Sequence, residues 1–109
     1  MEKVGKYREY IQSMLADYAE TRTSHNPENE LEMQTIFDTV HDHYQLIYVG
    51  WDKKGKRVYG LVMHVDIKNS KIWIQWNGRE DDIAVELAEK VILKEDIVIG
   101  FQTSFMRKF

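Results

Sequence analysis

A chain of 109 residues, 43% hydrophobic and 30% charged, has the length of a single domain and the balance of an ordinary globular core beneath a charged surface. Its 15 Lys and Arg against 18 Asp and Glu give a formal net charge of -3, which argues against a protein that holds DNA mainly by neutralising phosphates. The absence of cysteine excludes disulfides, thiolate metal sites and thiol nucleophiles. An N-terminus without an apolar run, and no stretch long enough to span a bilayer, point to a cytoplasmic protein with no membrane contact.

From Glu2 to about Glu20 the apolar residues Val4, Tyr7, Ile11, Met14, Leu15 and Tyr18 recur at spacings of three and four, with Lys3, Lys6, Glu9, Gln12, Ser13 and Asp17 between them. This predicts an amphipathic helix with its stripe on a core. Thr21 to Glu30 has no apolar residue and holds the only proline, so it reads as an exposed connector. Leu31 to Val40 is strand-like with imperfect alternation, as an edge or bulged strand would be.

His41 to Asp52, HDHYQLIYVGWD, is a second strand rich in aromatic and β-branched residues. It leads into a Lys-Lys-Gly-Lys loop, in which Gly55 can take the left-handed conformation. Tyr59 to Trp76, YGLVMHVDIKNSKIWIQW, alternates at period two on both sides of a polar break, the pattern of a half-buried hairpin. Either a two-residue Asn69-Ser70 turn or a four-residue loop from Lys68 to Lys71 places Ile67 opposite Ile72. In that register Asp66 faces Trp73, Val65 faces Ile74, His64 faces Gln75 and Met63 faces Trp76.

Continued without interruption, the alternation gives a core face of Leu61, Met63, Val65, Ile67, Ile72, Ile74 and Trp76. The preceding hairpin pairs Val49 with Tyr59 and Ile47 with Leu61, and so adds Ile47, Val49 and Trp51 to it. The other face carries Val62, His64, Asp66, Trp73 and Gln75, with Tyr44 opposite His64 and Tyr48 covering Gly60. After Asn77-Gly78 the spacing of Ile83, Leu87, Ala88 and Val91 is helical, and Glu80, Asp81 and Asp82 suit the positive end of a helix dipole. Ile97 to Phe101 is a short apolar segment, a last strand or a docked tail. The expected fold is therefore α+β: an antiparallel β-meander of about four strands packed with an N-terminal helix and a second helix after the last meander strand.

Three groups of residues bear on chemistry. His41 and His43, with Asp38 and Asp42 beside them and His64 and Asp66 within reach, have donor types that bind divalent metals, but no fixed-spacing partner completes a set. His64 and Asp66 lie about 7 Å apart along an extended strand, and no nucleophile accompanies them. Tyr44, Tyr48, His64, Asp66, Trp73 and Gln75 together have the mixed aromatic and polar character of a protein interface. The sequence thus points to a partner-binding surface, with no catalytic residues, metal site or cofactor.

The succession KYREYI, HYQLIYVGWD, RVYG, HVDIK, KIWIQWNG and KEDIVIGF, from Lys6 to Phe101, resembles the XisI family, the fdxN-element excision controlling factors of cyanobacteria. The resemblance implies an α+β domain over residues 1–109 and an accessory role in programmed DNA rearrangement, in which a separate site-specific recombinase excises the element. An XisH-type protein is the partner it implies, and the family brings no catalytic residues to transfer.

The leading expectation is a non-enzymatic controlling factor that binds a recombination or nuclease-like protein, with DNA contact indirect or weak. The alternative is direct DNA binding through Lys53, Lys54, Lys56 and Arg57 in the hairpin loop and Arg107 and Lys108 near the C-terminus. A third reading is a metal-dependent enzyme centred on His41, His43 and His64. Exposed aromatic area or an unpaired strand edge would favour a homodimer.

Overall fold

Residues 2–25, 30–78, 87, 89 and 94–101 are described in the computed structural model. Helix α1 (Glu2–His25) is followed by strands β1 (Glu30–Asp38), β2 (His43–Trp51), β3 (Arg57–Lys68) and β4 (Lys71–Asn77), a 3-10 turn at Lys94–Asp96 and a short strand β5 (Ile97–Ile99). The strands form one sheet in the order β1-β2-β3-β4-β5. The first four are joined as an antiparallel meander, while β5 runs parallel to β4, with Ile72, Trp73 and Ile74 opposite Ile97, Val98 and Ile99.

This corrects the four-stranded antiparallel meander expected from the sequence. A parallel neighbour cannot be reached by a tight turn and needs a crossover of a dozen residues or more, which residues 78–96 supply. The helix expected over Ile83 to Val91, with the acidic cluster Glu80 to Asp82, lies outside the described residues apart from Leu87 and Glu89. Among the described residues between β4 and β5, Leu87 is helical and the one complete regular element is the Lys94–Asp96 turn.

Helix α1 lies on one face of the sheet. Its Tyr7, Ile11 and Leu15, four residues apart, are almost wholly buried, with Val4, Tyr10, Met14, Tyr18 and Ala19 packed around them. Burying side chains such as Ile11 and Leu15 contributes about 1.5–3 kcal/mol each, more than the few tenths by which helix propensities differ. The sheet supplies Tyr44, Leu46, Met63, Val65, Ile67, Ile72, Ile74, Ile97 and Ile99 to the same core, and Leu87 joins it.

Two carboxylates, Asp96 buried and Asp42 partly so, fasten the helix. Asp96 accepts a hydrogen bond from the Tyr7 phenol at 2.6 Å and forms an ion pair with Lys3 at 3.1 Å, which ties the first turns of α1 to the 3-10 turn that leads into β5. Burial pushes the Asp96 carboxyl up, but the bonds from Tyr7 and Lys3 more than offset it and leave it below its ordinary value. Asp42 receives Arg8 Nε at 2.7 Å and Nη2 at 3.0 Å and the Tyr44 hydroxyl at 2.7 Å. The Arg8 guanidinium is the main cause that lowers the Asp42 pKa. Asp42 has φ 60, a left-handed conformation that aspartate tolerates better than most residues.

The hairpin turns carry their own signatures. Asp38 Oδ1 accepts the amides of Val40 and His41, each at 3.0 Å, and Asp52 Oδ1 accepts those of Lys54 and Lys56 at 2.9 Å. Gly55 is left-handed as its position predicts. Lys68 pairs with Lys71, so the β3-β4 turn is the two-residue one, with Asn69 and Ser70 both at positive φ as a type I′ turn requires.

Two bulges decide which side chains face the helix. Between β2 and β3 the register shifts at Leu46/Ile47: Leu46 pairs with Met63, but Ile47 pairs with Leu61, leaving Val62 as the extra residue. Between β3 and β4 it shifts at His64/Val65: Val65 pairs with Ile74, but His64 pairs with Trp76, leaving Gln75 extra. Each extra residue reverses the alternation beyond it. Leu61, Ile47, Val49, Trp51 and Trp76, all expected on the core face, therefore belong to the side away from α1. Tyr44 and Tyr48 move the other way, and Tyr44 is wholly buried. The expected partners His64–Gln75, Met63–Trp76 and Tyr44–His64 are replaced by His64–Trp76, Met63–Asn77 and Tyr44–Val65.

Candidate functional site

The sheet face away from α1 is two surfaces side by side. Toward the β2-β3 loop it is apolar and aromatic: Trp51 is 45% exposed, Tyr59 67%, Leu61 37% and Trp76 49%. Val49 pairs with Tyr59 and Ile47 with Leu61, so these side chains are cross-strand neighbours on one continuous face. The Arg57 guanidinium lies 5.0 Å from the Trp51 ring centre and the Lys68 ammonium 4.3 Å from that of Trp73, within the range of cation–π attraction. Ile36, 47% exposed on β1, stands opposite Gln45 and extends the apolar area toward the sheet edge.

At the other end of β2 and β3 the face is polar and organised on Asp66. His43 Nδ1 lies 2.9 Å and His64 Nε2 2.8 Å from Asp66 Oδ1, and Gln75 Nε2 donates to Oδ2 at 3.0 Å. His64 and Asp66 are two apart on β3, and the register places His43 opposite Asp66 and Gln45 opposite His64. The bulged Gln75 reaches across from β4. With Asp66 accepting from both rings, His64 carries its proton on Nε2 and turns Nδ1 toward Gln45 Nε2, 3.4 Å away.

The electrostatics follow from these contacts. Burial pushes the Asp66 carboxyl up, and the bonds from His43 and Gln75, with His64 beside them, outweigh it and bring the group below its ordinary value. The bond to Asp66 raises the His43 imidazole above its own. Asp66 is thus an ionised acceptor at neutral pH, largely enclosed by its three donors.

Of the six residues the sequence marks as one surface, the structure keeps His64, Asp66, Trp73 and Gln75 together and separates Tyr44 and Tyr48, which pack under α1. Tyr48 covers Gly60 there, as the pairing predicts. The phenol of Tyr44, raised by burial and by the bond to Asp42, serves the helix attachment. His41 does not join His43; it sits in the β1-β2 turn with Nδ1 3.0 Å from Asp38 Oδ2. Lys53, Lys54 and Lys56 are exposed at the β2-β3 loop, while Arg107 and Lys108 lie outside the described residues. Sequence reasoning missed Trp51, Tyr59, Leu61 and Trp76 as surface residues, and it grouped His43 with His41 while placing Asp66 only within reach of them.

A helix laid on one face of a mixed five-stranded sheet, with the other face aromatic and polar, defines an α+β domain. The chain belongs to the XisI family, whose model, described as XisI protein, matches residues 1–109. It is similar to the crystal structure of a XisI-like protein from Anabaena variabilis, at 38% identity and a TM-score of 0.85 over 95% of this chain and 92% of that one. It is also similar to that of the fdxN element excision controlling factor XisI from Anabaena variabilis, at 30% identity and a TM-score of 0.79 over 97% of this chain and 99% of that one. No match is found among curated proteins. Among the described residues no helix is long and apolar enough to cross a membrane.

Proposed function

We propose that this chain is a non-enzymatic controlling factor for the excision of a DNA element, and that it acts in the cytoplasm by binding a protein partner through the sheet face away from α1. The single observation that carries the binding surface is the run of half-exposed Trp51, Tyr59, Leu61 and Trp76 across β2, β3 and β4. Aromatic side chains with a polar rim are the composition of interface hot spots. His64, Asp66, Trp73 and Gln75 form that rim, and the net charge of -3 suits a basic, DNA-handling partner by complementarity. The partner is an XisH-type protein, and the recombinase that cuts the element is a further candidate; DNA contact by this chain is indirect.

Purified chain and XisH-type protein mixed at moderate salt should elute as one complex. Trp51→Ala and Trp76→Ala should each weaken it by about 30-fold, the effect of losing a hot spot of ~2 kcal/mol, with little change in thermal stability because both rings are exposed. Absence of a complex, or equal binding by both variants, would refute the surface. A salt-dependent gel shift by the chain alone would favour direct DNA contact through the exposed Lys53, Lys54 and Lys56 instead. A dimer in sedimentation that Trp51→Ala dissolves would mean that the face pairs with a second copy.

A further inference from the structure

We propose that His43, His64 and Asp66 form a binding site for a divalent transition metal of the zinc class, with three ligands from the chain and the remaining position open to solvent. The donor set is two imidazoles and one carboxylate, which suits zinc, cobalt or iron(II) rather than calcium or magnesium. One ligand atom from each of His43, His64 and Asp66 lies within 4.8 Å of the other two, and His43 Nδ1 and His64 Nε2 stand 2.9 and 2.8 Å from Asp66 Oδ1. Metal–ligand bonds of about 2.0–2.2 Å set donors roughly 3.3 Å apart in a tetrahedron, so the cluster needs only small side-chain rotations to close on an ion.

The backbone is already in place. All three residues sit on paired strands, His43 opposite Asp66 and His64 two residues away on β3, so no loop has to fold. Side-chain exposure falls from 55% for His43 to 26% for His64 and 13% for Asp66, which places the carboxylate at the floor and one imidazole at the rim, with access from solvent. The outer contacts are those a metal site needs. Gln75 holds Asp66 Oδ2 and leaves Oδ1 to face the two rings, and partners of this kind orient ligands and tune their affinity.

Without metal, His43 Nδ1–H and His64 Nε2–H both point at the carboxylate, and His64 Nδ1 faces the Gln45 amide nitrogen. To ligate, both rings present those same nitrogens as lone pairs. The His43 proton moves to Nε2, in solvent. The His64 proton moves to Nδ1, and the Gln45 amide turns over so that its oxygen accepts it. Rings in their neutral form therefore take up the ion by a change of tautomer. The His41–Asp38 pair has the same ligand types but is not part of the cluster, and serves as an internal control.

The test uses the untagged full chain, zinc or cobalt titration by calorimetry and absorption, and nitrogen-15 spectra of the histidine rings. Binding of a single ion per chain is expected, with the His64 proton appearing on Nδ1. His43→Gln, a substitution of a half-exposed side chain that leaves the fold intact by circular dichroism, should weaken binding by about 100-fold or more, and Gln75→Leu by about 10-fold. His41→Gln should leave it unchanged. No uptake by the wild-type chain, uptake that survives His43→Gln, or uptake abolished by His41→Gln would each overturn the proposal.

Discussion

Tyr7→Phe tests how the N-terminal helix is held to the sheet. The substitution removes one oxygen and leaves the ring in its buried slot, 2% exposed. What is lost is the 2.6 Å bond to the Asp96 carboxylate, itself 5% exposed. Hydrogen bonds to charged groups contribute about 1.5–3 kcal/mol, and burial with a short distance argues for the middle of that range, about 2 kcal/mol. For a domain of this size roughly 4–8 °C in Tm accompanies each kcal/mol, so a fall of about 8–16 °C is expected.

The sign of the pH dependence separates this bond from generic packing. The Asp96 pKa is lowered in the folded chain, so its contribution is fully present above the unfolded carboxylate value of about 3.9 and is lost as pH falls through the folded value. The gap between wild type and Tyr7→Phe should therefore be widest at neutral pH and shrink in acid. Urea unfolding followed by tryptophan fluorescence at pH 7 and at about pH 3 measures it, and Asp96→Asn with the double variant completes the cycle. A loss at pH 7 that persists undiminished in acid, or a double variant in which the two losses simply add, would refute the reasoning.

Two further substitutions test the sheet. In Gly60→Ala the new methyl would stand 2.5 Å from Cζ of the Tyr48 ring, an overlap that costs about 1–3 kcal/mol; in a Tyr48→Ala background the same substitution should cost almost nothing, as urea midpoints of the four proteins would show. Ser70→Gly should stabilise the chain by roughly 1 kcal/mol, because Ser70 has φ 61, a left-handed conformation that costs most residues about 1–2 kcal/mol and glycine little, and a thermal scan that shows no gain would count against the type I′ turn.

How much of this was legible in the sequence depends on what each residue's neighbours reveal. The helix stripe of Tyr7, Ile11 and Leu15 is periodic on its own and needs no partner to be read. The registers near the turns follow from loop chemistry: Val49 opposite Tyr59 and Ile67 opposite Ile72 are as expected because Gly55 and Asn69-Ser70 fix the count. The faces failed where an extra residue reversed the phase. Val62 is apolar and buried, so the run Leu61-Val62-Met63 reads equally well as either alternation, and nothing in it marks the bulge. Gln75 hides in the same way between Ile74 and Trp76. The aromatic surface was therefore misread as core, and the histidine of β2 that meets Asp66 was paired with its nearer neighbour His41. The parallel strand β5 was illegible for another reason: three apolar residues show that a segment is buried but not which strand it joins.

The bulges at Val62 and Gln75 also set where this chain can change its length. Removing a residue from the middle of β2 would turn every side chain beyond it to the opposite side, exchanging buried Tyr44 or Leu46 for charged or exposed neighbours. Removing Val62 would do no such thing, because Met63 would then follow Leu61 in step with Leu46 and Ile47. The cost would be one buried valine and the amide of Gly78 that bonds to the Val62 carbonyl at 2.7 Å. One-residue insertions and deletions among relatives are thus expected to collect at these two positions, where the chain can gain or lose a residue and keep its inside and outside.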